Sequence, residues 1–236
     1  MKTGPIQYCY LCRTPIRKYD LRKSEVRPQD DLDPDHVPPE GLFPKPRPAD
    51  LLKVPCCISC NNRHSGFDER LRIVASMPFD RNQAGQTILE KKVVEGTLAK
   101  GRQMQFVGKL LTSMQPAMER PELVRFRIDV AEFKEGMIRI TKGLLTALHP
   151  SFDYHHSAFD VIDIRPQPFD EQLGLMAHLK QAAYFERGQR VFQCWRHVDE
   201  AQGGGVWMLV FYECFGFFVS HSNHPERHRL WQKQTS

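Results

Sequence analysis

The sequence predicts an α+β protein with two domains, residues 1–78 and 79–236. The chain changes character near Pro78, because the first part is dense in Cys, Pro and charged residues and the second carries regularly spaced apolar residues. Both helical and alternating spacings occur in the second part, which predicts a mixed α+β core. With 236 residues, the chain is long enough for two ordinary domains.

The individual helices and strands are predicted from the same spacings. The first helix, 59–75, has Phe67, Leu71 and Val74 on one face and ends before Pro78. Further helices are predicted at 83–100, 104–114, 137–148 and 170–183. Strands are predicted at 123–130, 159–164, 191–198, 206–214 and 215–220, with Gly203, Gly204 and Gly205 forming the turn of a hairpin.

The composition narrows the class of protein. Hydrophobic residues make up 41% and charged residues 26% of the chain, and no apolar run approaches the roughly 20 residues of a membrane-spanning helix. A membrane-embedded transporter is therefore excluded. The start, MKTGPIQYCYLC, lacks the apolar stretch of a secretory signal, so we expect an intracellular, cytoplasmic protein. The net charge of +5 permits a polyanionic partner without requiring one.

Cysteines are concentrated near the N terminus, where five of the seven lie within the first 60 residues. Cys9 and Cys12 form one pair with two residues between them, and Cys57 and Cys60 form a second pair with the same spacing. Two such pairs predict a structural Cys₄ zinc site, which would stabilise a segment that has little aliphatic core of its own. Cys56 would break the matched spacing if it replaced Cys57, so it is interpreted as a bystander.

Groups suited to hydrolytic chemistry lie between and beside the cysteine pairs. Asp35 and His36 are adjacent, and Asn61 directly follows the last cysteine of the second pair. A carboxylate and an amide oxygen can hold Mg²⁺ or Mn²⁺, while a neutral histidine beside that ion can take a proton from water. The alternative is an Asp that caps a turn and a His that is hydrogen-bonded to it.

The order Cys-x₂-Cys, Asp-His-Val-x-Pro, Cys-x₂-Cys-Asn resembles the HNH endonucleases, also called ββα-metal or His-Me finger nucleases, in their zinc-stabilised form. The resemblance covers residues 9–75. It implies two antiparallel strands followed by a helix around one divalent ion, with His36 as the general base and with Asp35 and Asn61 as metal ligands. The middle Asn of the family motif has no counterpart in residues 48–55, where Asp50 is the nearest polar candidate. Asn61 stands where His is commoner.

Further residues near this motif are weaker candidates. His64 lies one helical turn beyond Asn61, where it could touch the scissile phosphate, add a metal ligand or simply be exposed to solvent. Lys45 and Arg47 in the loop between the two strands are placed to meet a phosphate backbone, or are merely solvated. The same alternatives hold for the arginines of the following helix, Arg63, Arg70 and Arg72.

The C-terminal part carries no motif of its own. His221, His224 and His228 are interpreted as belonging to a polar tail rather than to a metal site, because Pro225 interrupts them. The aromatic residues of 206–218 predict a sheet core, and a partner-protein interface is at least as plausible a use for them as base stacking.

Three functional hypotheses follow. The leading one is a metal-dependent HNH-type endonuclease that hydrolyses nucleic-acid phosphodiesters, with DNA as the expected substrate. The second is a zinc-stabilised module that binds nucleic acid or protein and has lost turnover. The third is a nuclease that a partner protein or a guide nucleic acid activates through residues 79–236.

Overall fold

Groups of strands are separated by groups of helices in a computed structural model that describes residues 7–19, 26–116, 124–163 and 182–224. The fold is mixed α+β, as the sequence predicts. Its helices are α1 (Ile58–Ser76), α2 (Gln83–Ile88), α3 (Met104–Thr112) and α4 (Val130–Leu148). Its strands are β1 (Gln7–Tyr8), β2 (Pro15–Ile16), β3 (Asp35–Val37), β4 (Leu52–Val54), β5 (Gln115–Pro116), β6 (Val124–Arg125), β7 (Ala158–Asp163), β8 (Ala183–Arg187), β9 (Phe192–Asp199), β10 (Gly204–Phe211) and β11 (Phe215–Ser222).

The largest element is a five-stranded antiparallel sheet in the order β7-β11-β10-β9-β8. Alternate residues of its strands face the interior, where Trp207, Leu209, Phe217 and Val219 are almost completely buried. Consecutive strands β8 to β11 are neighbours, so this part of the sheet is a meander that short turns can build.

Helix α4 lies between this sheet and the N-terminal elements. It packs against β7 and β11 on one side and against β3, β4 and α1 on the other. Two glycines allow the close approach, since a Cβ at Gly136 would overlap the ring of Phe67 and a Cβ at Gly143 would lie 2.5 Å from Val37. Residues from both sides of Pro78 therefore share one apolar interior. A domain boundary at Pro78 stays a prediction.

The N-terminal elements follow the order strand, strand, helix. Strands β3 and β4 pair antiparallel, with His36 opposite Lys53, and α1 begins four residues after β4. The long connection between the strands is anchored by its apolar middle, because Leu42 and Phe43 are buried and the hydroxyl of Tyr212 donates to the Leu42 carbonyl at 2.6 Å. This connection therefore packs on the turn between β10 and β11.

Most predicted elements are confirmed, with small shifts at their ends. The helix predicted at 59–75 is α1, and its apolar face is buried as expected. The helix predicted at 83–100 begins as α2 and continues as a π-helix over Leu89–Leu98. The other confirmed predictions are 104–114 as α3, 159–164 as β7, 191–198 as β9, 206–214 as β10 and 215–220 as β11.

Two predictions near α4 are wrong. The strand predicted at 123–130 is reduced to Val124–Arg125, and the helix predicted from 137 begins seven residues earlier at Val130. The reason is Asp129, whose carboxylate accepts a hydrogen bond from the Ala131 amide at 2.9 Å and caps the helix there. The helix predicted at 170–183 lies outside the described residues, apart from its end, where Ala183 begins β8.

The C-terminal predictions need two corrections. Gly204 and Gly205 belong to β10 rather than to the turn, where Gly203 with its φ of +63° remains. His221 is part of β11 rather than of a polar tail, and only 2% of its surface is exposed. Its ring packs against the aromatic rings of Phe152 and Phe159, and these contacts could not be read from its polar neighbours in sequence.

None of the helices in the described part of the chain is both long and apolar enough to cross a membrane.

Candidate functional site

The two cysteine pairs come together although 45 residues separate Cys12 from Cys57. Cys9 and Cys12 lie at the tip of the β1–β2 hairpin, and Cys57 and Cys60 lie at the start of α1. The hairpin is held against this helix end by a hydrogen bond from the Tyr10 amide to the Pro55 carbonyl.

The sulfur atoms of this quartet, Cys9, Cys12, Cys57 and Cys60, lie within 4.8 Å of one another. Those of Cys12 and Cys57 are 3.8 Å apart. A zinc ion with four Zn–S bonds of about 2.3 Å requires sulfur–sulfur edges of about 3.8 Å in a regular tetrahedron. The four cysteines could therefore hold a metal ion such as zinc, as the sequence predicts.

The surroundings of these thiols change their protonation. The pKa of Cys9 is lowered to about 4, chiefly by the contact between its sulfur and that of Cys56, whereas burial raises the pKa of Cys57 and Cys60. Without a cation Cys57 and Cys60 are thus neutral thiols at pH 7, and a metal ion would bind them with release of their protons. Cys56 lies 3.9 Å from Cys9 but outside the group of four, in agreement with its interpretation as a bystander.

Asp35 points inward from β3 into a buried ion-pair network. Its carboxylate accepts hydrogen bonds from Nε and Nη2 of Arg139 on α4, both at 3.0 Å, and from the Tyr10 hydroxyl at 2.6 Å. Arg139 also donates to Asp68 on α1, at 2.7 and 3.3 Å. Asp35 and Arg139 are 4% and 2% exposed. Through this one guanidinium, helix α4 is tied both to strand β3 and to helix α1.

His36 points the other way, because successive side chains of a strand face opposite sides. Its side chain is 24% exposed, and its Nδ1 lies 3.9 Å from a carboxylate oxygen of Glu40. Burial lowers the pKa of His36, Glu40 raises it, and the positive charges of Lys53 and Arg47 lower it further. The net shift is downward, so the imidazole is neutral at pH 7 and sits among basic side chains.

Asn61, in the first turn of α1, is hydrogen-bonded to Asp33 and not to Asp35. Its amide nitrogen donates to the carboxylate of Asp33 at 2.8 Å, and Asp33 also pairs with Arg27. His64 is half-buried one turn further along α1, and its pKa is lowered by burial and by the nearby charge of Arg139. The charge of Arg139 therefore acts on His64 as well as on Asp35.

The structure therefore divides the predicted catalytic residues among three environments. Asp35 is bound to Arg139 and Tyr10, Asn61 is bound to Asp33, and His36 faces a basic surface. A divalent ion at Asp35 would have to displace a buried guanidinium, so this carboxylate does not fit the predicted cation. Asp50 does not orient His36 either, since it pairs with Arg187 at 3.2 Å.

The structure also shows the contacts of the basic residues that the sequence singled out. Arg47 pairs with Glu40 at 2.8 Å, and Lys45 is exposed on the same connection. On α1, Arg63 is exposed, whereas Arg72 pairs with Glu69 and Arg70 lies 6.0 Å from the ring centre of Phe106. Two of the three helix arginines therefore stabilise local packing.

Two residues important to this region were missed in the sequence. Arg139 is an arginine in the middle of the buried face of α4, between Gly136 and Gly143, which is a signal for a buried charge with an acidic partner. Lys53 carries no signal in the sequence, because only the pairing of β3 with β4 brings it opposite His36.

Comparisons with protein-family models, with curated proteins and with solved structures give no match for this chain.

Proposed function

We propose that this protein is an HNH-type endonuclease that hydrolyses phosphodiester bonds of nucleic acid, with DNA as the expected substrate and His36 as the general base. The observation that carries the proposal is the setting of His36. It lies on the first strand of a strand-strand-helix unit that begins at a four-cysteine cluster, and it is neutral and partly exposed, with Lys53, Arg47 and the carboxylate of Glu40 around it.

The role of the cysteine cluster in this proposal is structural. Zinc bound by four thiolates has no open position for water or substrate, so it supplies stability rather than chemistry. By joining the β1–β2 hairpin to the start of α1, the ion would fix the base of the unit whose β3 strand carries His36.

The chemistry is assigned to groups on the outer face of the β3–β4 hairpin. A neutral imidazole can take a proton from a water molecule that attacks phosphorus, while the P–O bond to the leaving sugar oxygen breaks and that oxygen takes a proton from solvent. Lys53 lies opposite His36, and Arg47 is near enough to lower its pKa, so both can attract the negative phosphate. No step is assigned to a cation at Asp35.

The second candidate function is a binding module without turnover, and a specific observation favours it. Asp35, which the family resemblance makes a metal ligand, accepts three hydrogen bonds from Arg139 and Tyr10. A scaffold in which this carboxylate is permanently used for packing would retain the basic surface around His36 and bind nucleic acid without cutting it. Activation by a partner protein through residues 79–236 remains a third hypothesis.

The test is to measure binding and cleavage on the same zinc-loaded protein. Supercoiled plasmid, linear duplex DNA and single-stranded DNA and RNA are incubated with Mg²⁺, with Mn²⁺ and with neither ion. Cleavage of any of them by the wild type supports the nuclease. Gel-shift binding with intact substrate under all conditions supports the module, and neither binding nor cleavage of any substrate contradicts both.

The pH dependence of cleavage is the first prediction. Because the pKa of His36 lies below its ordinary 6.5, the base form predominates at neutral pH. We expect the rate to be constant above this pKa and to fall about tenfold per pH unit below it, as a single required base demands. The imidazole titration, followed by NMR of the His36 ring, should give the same midpoint as the rate. A rate that rises steadily from pH 7 to 9 would contradict the role.

The affinity for DNA is the second prediction. Lys53→Ala should weaken binding of every sequence about equally and reduce the salt dependence of the binding constant by about 0.9 in the log–log slope, as loss of one phosphate contact does. Lys91→Ala is the control, because Lys91 is an equally exposed lysine that pairs with Glu95 on the π-helix. Equal effects of the two substitutions would show that the hairpin surface is not the binding face.

A further inference from the structure

The Asp35–Arg139 pair occupies the place that the HNH resemblance gives to a divalent ion. Both oxygens of Asp35 are bonded to the guanidinium, and one of them also accepts the Tyr10 hydroxyl. A side-on pair of this kind is the strongest geometry for an arginine and a carboxylate. Arg139 itself is 2% exposed, so water does not compete for these bonds.

The guanidinium of Arg139 makes four hydrogen bonds, all of them to two carboxylates. It is shared between Asp35 and Asp68, which leaves one excess negative charge if both carboxylates are ionised. Burial raises the pKa of Asp68 to about 6, against the attraction of Arg139. Asp68 is therefore mostly ionised at pH 7, where the three side chains carry one net negative charge. A divalent ion at Asp35 would nevertheless be repelled by Arg139, whose guanidinium already binds both oxygens of that carboxylate.

We propose that Arg139 is the permanent cationic partner of Asp35, and that Asp35 is a positioning residue which binds no divalent ion. In the nuclease proposed above, on which this inference rests, the pair would fix β3 and so the direction in which the next residue, His36, leaves the strand. Helix α4 would then complete a site whose other parts lie before Pro78, and any divalent ion needed for cleavage would be bound elsewhere.

The first test measures Mn²⁺ bound to the zinc-loaded, full-length protein by electron paramagnetic resonance. Wild type, Asp35→Asn and Asp80→Asn are compared, the last being a control at an exposed aspartate after α1. We expect the same amount of bound Mn²⁺ in all three at millimolar Mn²⁺. A site that wild type and Asp80→Asn share and Asp35→Asn lacks would overturn the proposal.

The second test removes the guanidinium. Arg139→Gln leaves Asp35 and Asp68 close together without a positive partner, so we expect Mn²⁺ to raise the melting temperature of this variant and not that of the wild type. Arg139→Lys restores the positive charge, so Mn²⁺ should leave its melting temperature unchanged. If the effect in Arg139→Gln came only from lost packing, the lysine would not reverse it. An Arg139→Gln variant that folds and ignores Mn²⁺ would contradict the proposal, and if it does not fold the Asp35→Asn comparison decides.

These readouts do not depend on catalysis. If the protein cleaves no nucleic acid, the Mn²⁺ measurements still decide whether Asp35 holds an ion. If Mn²⁺ proves to bind at Asp35, the inference about Arg139 fails while the nuclease proposal stands.

Discussion

Removal of the metal by a strong chelator is expected to unfold the N-terminal part of the protein. Cys9, Cys12, Cys57 and Cys60 bring the β1–β2 hairpin to the start of α1, and without a cation these four thiols, three of which are buried, have no partner of comparable strength. Structural zinc sites in small peptides contribute on the order of 10 kcal/mol of folding free energy. Because α1 packs on α4, we expect the melting temperature of the whole chain to fall as well.

The measurement is circular dichroism and thermal melting before and after chelation, with zinc content determined by mass spectrometry under native conditions. Cys60→Ser should reproduce the effect of the chelator. Cys214→Ser is the control, because this partly buried cysteine lies outside the quartet and should leave zinc content unchanged. Unchanged melting after complete loss of metal would show that the cluster does not support the fold.

Substitution of Asp35 by alanine is expected to cost about 3–5 kcal/mol, the usual loss when one partner of a buried ion pair is removed. Arg139 would keep Asp68 but lose two hydrogen bonds, and the Tyr10 hydroxyl would lose its acceptor. Urea denaturation of the zinc-loaded protein measures the change in the free energy of unfolding.

Asp33→Ala provides the matched comparison for this substitution. Asp33 lies two residues away, pairs with the half-exposed Arg27 and accepts a hydrogen bond from Asn61, so its loss should cost about 1–2 kcal/mol. Equal losses for the two variants would mean that the buried network adds nothing beyond an ordinary surface pair.

The four-cysteine cluster was predictable from the sequence because it depends on local spacing. Two Cys-x₂-Cys pairs each bring two sulfurs to one point, and the meeting of the pairs is the simplest way to satisfy them. Helix α1 was predictable for a similar reason, since its apolar residues repeat at the helical period and it ends two residues before Pro78, at Ser76.

The surroundings of Asp35 and His36 were not predictable in this way. Arg139 lies 104 residues from Asp35, and nothing in local spacing says which acidic residue a buried arginine will reach. The outward direction of His36 depends on the pairing of β3 with β4, which a three-residue strand does not reveal by alternation. Long-range packing of α4 thus decides which candidate residues share an environment.

The most direct measurement of the proposed function is cleavage of plasmid DNA by wild type and by His36→Ala, prepared in parallel with equal zinc content. His36 is on the outer face of the hairpin, so its truncation should leave melting nearly unchanged. Loss of a general base predicts a rate reduced by about 10²–10⁴-fold with DNA affinity retained. Cleavage by His36→Ala at the wild-type rate would contradict the assignment of this histidine as the catalytic base.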